Sequence, residues 1–445
     1  MASKPTVPSF GQPTIHSQLI SNQIWEAVSM MAKAAFLFLL TPVMLRHWGQ
    51  SGYGAFAVAS SMVVFVSMFD LGLRGRARVE LCHAVALGEM EKASQVLAIA
   101  MARFGVIAVL VLLLVTGLET MGICSRLLDL PPESGHLILL TAAFTQLQML
   151  TGFLLEPLIA EGRIGLAKLA GAAGAAVSVP AVWLVLHGGG GVAPAIAVWL
   201  GCLTMANLLT VILTGHFRDV FRWKWSAVLH AGWGATFSAG LWFNVTNAAW
   251  LAKGHGLTFL ISAISGPATA GTFFIILRLS EIIGTFGAIS CDVTLGGMAG
   301  GDIARRRSVF SLGYSYATIL CLVLAAGIGF LTPAFWILWL NAAAPVGWAT
   351  GWLAALLGLA SGLNRIIVYA AMALGIVRAA AIWTLLEAGF AMLGVMLVQR
   401  SAGLGATLLL TSLASLVLVP VALQISRALD QPFWTTWQPR LHLPR

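Results

Sequence analysis

Residues 88–97 read GEMEKASQVL, and residues 301–310 read GDIARRRSVF. Each stretch opens with Gly and an acidic residue, continues through basic residues to a serine, and ends on apolar residues. The 445-residue chain is 59% hydrophobic and only 9% charged, so a polar connector of this kind is conspicuous. Two similar connectors, 213 positions apart, indicate that the chain contains an internal repeat.

The composition indicates whether this chain folds in water or in a lipid bilayer. Soluble domains carry about 25% charged residues, far above the 9% found here. The chain is therefore predicted to be an all-α, polytopic membrane protein whose main partner is the phospholipid bilayer.

Twelve segments have the length and apolarity of membrane-spanning helices, which need about 20 mostly apolar residues each. They lie at 24–46, 53–73, 100–118, 136–159, 167–186, 193–215, 235–263, 269–290, 308–331, 349–373, 378–398 and 404–425. The seventh contains Lys253-Gly-His-Gly256, which predicts a bend at that point. No connector is long enough for a soluble catalytic domain, so we do not expect an enzyme.

The distribution of Lys and Arg predicts the orientation, because cytoplasmic loops carry the excess of positive charge. With a cytoplasmic N-terminus, 18 of the 25 basic residues fall inside, and three fall outside, namely Arg46, Arg126 and Arg400. Both termini are therefore predicted to be cytoplasmic. The net charge of +9 suits basic loops beside anionic lipid, and no nucleic-acid partner is expected.

The repeat extends well beyond the two connectors. At an offset of 217 positions, Gly49 aligns with Gly266 and Gly54 aligns with Gly271. Each copy contains six spans, so both copies enter the membrane in the same orientation, and a site between such copies tends to lie near the midplane. The predicted divisions are an N-terminal segment 1–20, an N-lobe 21–215, a connector 216–234, a C-lobe 235–425 and a tail 426–445.

Several stretches resemble one transporter family. WGQSGYGAFAVASSMVVFVSMFDLGL at 48–73, followed by a basic connector and GEMEKA at 88–93, is similar to the second-helix region of Wzx-type polysaccharide and O-antigen flippases. ISGPATAGTFFIILRLSEIIGTFGA at 264–288 and FWILWLNAAAP at 335–345 resemble later passages of the same proteins. These flippases share an exporter superfamily with multidrug and toxin extrusion proteins and lipid II flippases.

The resemblance implies a two-lobed carrier of twelve helices. Its implied substrate is an undecaprenyl-pyrophosphate-linked oligosaccharide, moved by alternating access from the inner to the outer leaflet of a bacterial inner membrane. A polymerase and glycosyltransferases of the same polysaccharide pathway are the implied protein partners, and no cofactor is implied. A drug or cation extruder of the same superfamily is the alternative and would need an acidic cavity. An assembly enzyme such as an O-antigen polymerase would need a large outer loop, which this chain lacks.

Four basic residues are predicted within spans, where a charge costs about 2.5–3.5 kcal/mol on insertion scales. They are Lys33, Lys253, Arg278 and Arg365. A pyrophosphate needs buried cations, and Arg can bind it through two parallel hydrogen bonds. We therefore take these four residues as candidates for substrate binding, with Arg278 and Lys33 facing each other across a central cavity.

Each candidate also has a purely structural interpretation. Lys253 could extend to the outer interface, and Arg278 could be neutralised by Glu281 one helical turn away. Arg365, beside Asn364, could pair with Glu156 at a nearly equivalent depth of the fourth span.

Glu387 is the candidate for ion coupling, because no basic residue lies within one helical turn of it. A desolvated carboxylate could bind a proton or Na⁺, or it could be a protonated side chain hydrogen-bonded between helices. The histidines and the five cysteines (Cys82, Cys124, Cys202, Cys291, Cys321) show no metal-ligand spacing, so neither a metal site nor a disulfide framework is expected.

Overall fold

The computed structural model describes residues 15–70, 73–123, 126, 135–161, 163–215, 234–299, 303–340 and 348–430. Every regular element among these residues is helical, and the described part of the chain contains no strand. The predicted all-α class is confirmed. The predicted segments 1–20, 216–234 and 426–445 lie mostly outside the described residues.

The described residues before the connector form seven helices. They are α1 (Ile15–Ser67), α2 (Leu73–Ala86), α3 (Met90–Thr120), α4 (Gly135–Phe153), α5 (Glu156–Ala160), α6 (Ile164–His187) and α7 (Val192–Thr214), with a 3-10 turn at Met68–Asp70.

The described residues after the connector form six helices and two shorter turns. They are α8 (Gly234–Leu251), a π turn (Ala252–Gly256), α9 (Leu257–Ala299), α10 (Ile303–Leu340), α11 (Trp348–Ala373), α12 (Val377–Ala414), a 3-10 turn (Ser415–Leu418) and α13 (Val419–Ala428). A π turn falls on the Lys-Gly-His-Gly sequence, where the sequence predicts a bend, and sharp helix kinks often occur at such turns.

Three of the long helices are each divided by one glycine. Gly49 in α1, Gly266 in α9 and Gly403 in α12 have positive φ values of 68°, 81° and 70°, which other residues rarely adopt. Each glycine falls in a gap between two predicted spans. Within the described residues, nine helices are long and apolar enough to cross a membrane, and the three divided helices make this number compatible with twelve spans.

The helices pack as two bundles, one from each half of the chain. The main contact between the bundles joins α1 to α9. At its centre, a Cβ atom added to Gly271 would lie 3.2 Å from the Cα of Gly54. These two glycines are equivalent in the predicted repeat. Their direct contact is what a two-fold relation requires of residues beside its axis.

The two polar connectors occupy matching places in the bundles. Helix α3 begins at Met90, two residues after the first connector glycine, and α10 begins at Ile303, two residues after the second. Gly88 adopts a positive φ of 72° in the turn before α3. The repeat detected in the sequence therefore marks the start of the same helix in each bundle.

Contacts between the bundles and within them close one end of the protein. The indole nitrogen of Trp48 donates to the Gly190 carbonyl at 3.0 Å, and that of Trp339 donates to the Phe38 carbonyl at 2.5 Å. Gly49 and Gly266 lie at this same end, beside the Gly54–Gly271 contact. We call it the glycine end, and under the orientation predicted from the charges it faces the periplasm.

A topology experiment tests that orientation. Reporter domains fused after Gly88 and after Gly190 are expected to report opposite compartments, cytoplasmic for Gly88 and periplasmic for Gly190, because the basic residues lie mainly on the Gly88 side. An alkaline phosphatase fusion active only at Gly190, with a cytoplasmic reporter active only at Gly88, would agree. Activity of either fusion on the opposite side contradicts the charge-based orientation.

Candidate functional site

A cavity of about 770 Å³ extends from the middle of the protein towards the end opposite the glycine end. The first bundle contributes most of its lining, from α1, α2, α4, α6 and α7, and the second bundle contributes Asn247, Leu251 and Arg278. Its wall is mixed, with Phe36 and Trp199 stacked at a centroid distance of 5.2 Å in one region and charged side chains in another. We call it the central cavity.

The charged region of the central cavity centres on two arginines of α2. Arg74 Nε donates to Glu156 Oε1 at 2.5 Å, while Arg78 donates to both Glu156 oxygens, at 2.7 Å and 3.0 Å. The Glu156 side chain is fully buried, whereas those of Arg74 and Arg78 are 34% and 44% exposed. Glu156 thus fixes two guanidinium groups that line the cavity, where Lys168 and Asp70 also lie.

Arg278 lines the same cavity from the second bundle. Its Nη1 donates to Glu281 Oε2 at 2.6 Å, and its guanidinium lies 4.5 Å from the centre of the Phe274 ring. Arg278 therefore lines the cavity and is also paired with Glu281, and its role in substrate binding stays a prediction. The side chain of Lys33 lies outside the described part of the structure, so its place opposite Arg278 stays a prediction.

A line of polar contacts joins the two bundles at the π turn. His255 Nδ1 lies 3.3 Å from Ser61 Oγ on α1, and His255 Nε2 lies 3.4 Å from Glu281 Oε1 on α9. Ser61 and His255 are buried, and Glu281 is also bound to Arg278. The second bundle therefore contacts the first through His255, which also contacts the carboxylate that holds the cavity arginine.

Lys253 and Arg365 do not face the central cavity. They line a smaller cavity of about 50 Å³ within the second bundle, together with Trp250 and Glu281. The Arg365 guanidinium lies 3.4 Å from the centre of the Trp250 ring, a distance typical of a cation–π contact. The predicted Arg365–Glu156 pair is wrong, because Glu156 belongs to the first bundle and binds the arginines of α2.

The Lys253 ammonium forms an ion pair with Glu387 Oε1 and donates to Ser415 Oγ at 2.8 Å. The predicted extension of Lys253 to the interface is wrong, since its side chain is only 5% exposed. Asn364 Nδ2 and Ser415 Oγ also donate to Glu387 Oε1, at 2.5 Å and 3.0 Å. Glu387, the candidate for ion coupling, therefore has a basic partner, which is Lys253 of the π turn.

The sequence does not single out the arginines of α2 as site residues. Their position after the second span predicts a cytoplasmic loop, whereas they form part of a helix that lines the cavity. Their spacing of four residues, which puts both on one helical face, is the signal that could have found them. In the described part of the chain no group of three or more His, Cys, Asp or Glu side chains could hold a metal ion.

Comparison with known proteins finds the fold through structure alone. No protein-family model and no curated protein matches the chain by sequence. The MATE multidrug transporter DinF-BH, solved as a complex with a small molecule, has a TM-score of 0.67 at 16% identity, covering 97% of this chain and all of that one. The eukaryotic MATE transporter AtDTX14 gives a TM-score of 0.68 at 16% identity, covering 95% of this chain and 98% of its own.

Two structures described as the inward-facing and outward-facing conformations of a multidrug resistance MATE family transporter of the MOP superfamily also match. Their TM-scores are 0.63 and 0.62, at 14% and 12% identity, covering 95% and 93% of this chain and 97% of each structure. The chain therefore has the fold of MATE transporters. At these identities the similarity establishes the fold alone.

Proposed function

We propose that this protein is a membrane transporter that exports amphipathic molecules by alternating access of its two bundles. The observation that carries the proposal is the central cavity, which is lined by both bundles and closed at the glycine end. A cavity with an aromatic region and a charged region suits a molecule with one apolar and one polar part. The match to structures described as inward-facing and outward-facing supports the exchange between two such states.

Drug export is the first candidate for the cargo, and the comparisons favour it. The structures with this fold include one described as a multidrug transporter in complex with a small molecule, and the Phe36–Trp199 stack offers a flat apolar surface to a planar compound. In cells without their own drug exporters, this protein should then lower the accumulation of a lipophilic dye. Unchanged accumulation at confirmed membrane expression contradicts this cargo.

The charges of the central cavity favour a second candidate, an anionic cargo. Among the described residues that line the cavity, Arg74, Arg78, Lys168 and Arg278 are basic and Asp70 is acidic. Glu156 and Glu281 pair with the three arginines and offset part of this positive charge. A protein that exports cations would need more acidic than basic side chains in this cavity. Guanidinium groups bind phosphate oxygens through paired hydrogen bonds, so an undecaprenyl-pyrophosphate-linked oligosaccharide remains our proposal for this class of cargo. Cells lacking the protein should then accumulate such lipids on the inner leaflet.

Arg278 distinguishes the two cargoes. For an anionic cargo, Arg278→Ala should reduce export by about tenfold or more, because one charge-assisted hydrogen bond is worth about 1.5–3 kcal/mol. Arg278→Lys should retain part of the activity, since the charge remains without the paired donors. For a cationic dye, Arg278→Ala should leave transport unchanged or raise it. Export of each cargo from proteoliposomes, at matched protein content, is the measurement.

The control addresses the pairing with Glu281. Arg278→Ala alone leaves that carboxylate without its strongest partner, which can destabilise the fold. The double change Arg278→Ala with Glu281→Ala removes both charges. If the double variant exports an anionic lipid at the wild-type rate, Arg278 only neutralises its neighbour, and the substrate-binding role fails.

A further inference from the structure

A compact polar cluster lies inside the second bundle, apart from the central cavity. Its members come from four elements: Lys253 from the π turn, Asn364 from α11, Glu387 from α12 and Ser415 from the 3-10 turn before α13. Each residue is more than nine-tenths buried, with exposed fractions of 5%, 5%, 0% and 8%. Such a cluster must satisfy its charges internally, because burying an unpaired ion is very costly.

Three of the four hydrogen bonds described within the cluster converge on one atom, and the fourth joins Lys253 to Ser415. Lys253, Asn364 and Ser415 each hydrogen-bond to Glu387 Oε1, whereas Glu387 Oε2 is buried and has no hydrogen-bond partner. An unsatisfied carboxylate oxygen at this depth leaves a coordination position open. Buried polar atoms without a partner are uncommon in proteins, and one explanation for them is a ligand that binds there.

The side chains of the cluster form a set of oxygen ligands. Glu387 supplies two carboxylate oxygens, Ser415 supplies a hydroxyl, and the Asn364 amide can present its oxygen after rotation of the amide group. Oxygen ligands of this kind bind hard cations. With a single carboxylate, the set matches a cation of one positive charge. That charge is already present, as the ammonium of Lys253.

We propose that this cluster is a monovalent-cation site that the chain fills with its own Lys253 ammonium. The ammonium binds Glu387 and Ser415 as a free cation would, and it is held there by the π turn. Two consequences follow. The native protein takes up no Na⁺ at this cluster. A variant without the ammonium exposes the oxygen set and binds Na⁺ in its place.

The small cavity of about 50 Å³ supplies the space for this exchange. Lys253 itself lines it, beside Gly254 and Thr411. Replacing Lys253 with Ala removes four heavy atoms of its side chain. The volume that they leave beside Glu387 adds to the small cavity, which Lys253 lines. A cavity needs only about 10–15 Å³ for one water molecule, so a Na⁺ ion with a bound water fits the enlarged volume.

Thermal unfolding of the purified protein in NaCl, compared with choline chloride of equal concentration, tests the proposal. The wild-type midpoint should be the same in both salts. Lys253→Ala should unfold at a lower temperature in choline chloride, and added NaCl should raise its midpoint saturably, by about 2 °C or more. The double variant Lys253→Ala with Glu387→Gln should show no Na⁺-specific rise, because the carboxylate is absent.

Each alternative outcome overturns the proposal. A saturable Na⁺ effect on the wild-type protein that Glu387→Gln abolishes would show that the ammonium does not fill the site. A folded Lys253→Ala variant with no response to Na⁺ would show that the oxygen set binds no cation. Failure of Lys253→Ala and Lys253→Ser to fold in NaCl also counts against it, since Na⁺ should replace the missing charge. None of these outcomes depends on which cargo the protein carries.

Discussion

Gly54→Leu is expected to abolish transport while leaving each bundle folded. A Cβ atom at Gly54 would lie 1.9 Å from the carbonyl oxygen of Pro267, a backbone atom of the other bundle that cannot turn aside. The closed glycine end therefore cannot form. Overpacking costs about 1–3 kcal/mol in ordinary cores, and a backbone clash should cost at least as much, which reduces the closed state about tenfold or more.

Labelling of a buried cysteine measures directly whether the glycine end opens. Thr41 lies at the glycine end, where its hydroxyl is 3.4 Å from the Tyr53 hydroxyl, and its side chain is 2% exposed. With the native cysteines replaced, Thr41→Cys should react slowly with a membrane-impermeant thiol reagent, and Gly54→Leu should accelerate the reaction. Gly105 is the matched control, because a Cβ atom there would meet nothing within 4 Å. Wild-type transport by the Gly54→Leu variant would contradict the role of this contact.

The helix breaks could be predicted because their cause is local. Gly49, Gly266 and Gly403 lie in polar or weakly apolar gaps between spans, and only glycine adopts their backbone angles readily. The interruption of the seventh span can also be predicted from the sequence, since a lysine and two glycines break its run of apolar residues.

The charged residues can be identified from sequence more reliably than their partners. Insertion cost alone marks Lys253 and Glu387 as exceptional, wherever they lie along the chain. Their pairing joins residues 134 positions apart, and the Arg74–Glu156 pair joins residues 82 positions apart. Nothing in helical periodicity determines such a distance. The division of the candidates between the central cavity and the small cavity likewise follows from the packing of α8, α9 and α11.

The second large effect is expected when both arginines of α2 are removed. Arg74→Ala with Arg78→Ala leaves the fully buried Glu156 without either of its basic partners. Removing the partners of a buried charge destabilises a protein by about 3–5 kcal/mol. The double variant should therefore unfold at a clearly lower temperature than wild type. Either single change should have a smaller effect, since one guanidinium continues to neutralise the carboxylate.

Adding Glu156→Gln to the double variant separates stability from cargo binding. The triple variant contains no buried charge at this position, so its unfolding temperature should return most of the way to that of wild type. Its central cavity nevertheless lacks two of its four described cations. Proteoliposomes containing the triple variant should then export an anionic lipid poorly and a cationic dye at least as well as wild type. Equal export of the anionic lipid by the triple variant and wild type would show that these arginines serve only to neutralise Glu156.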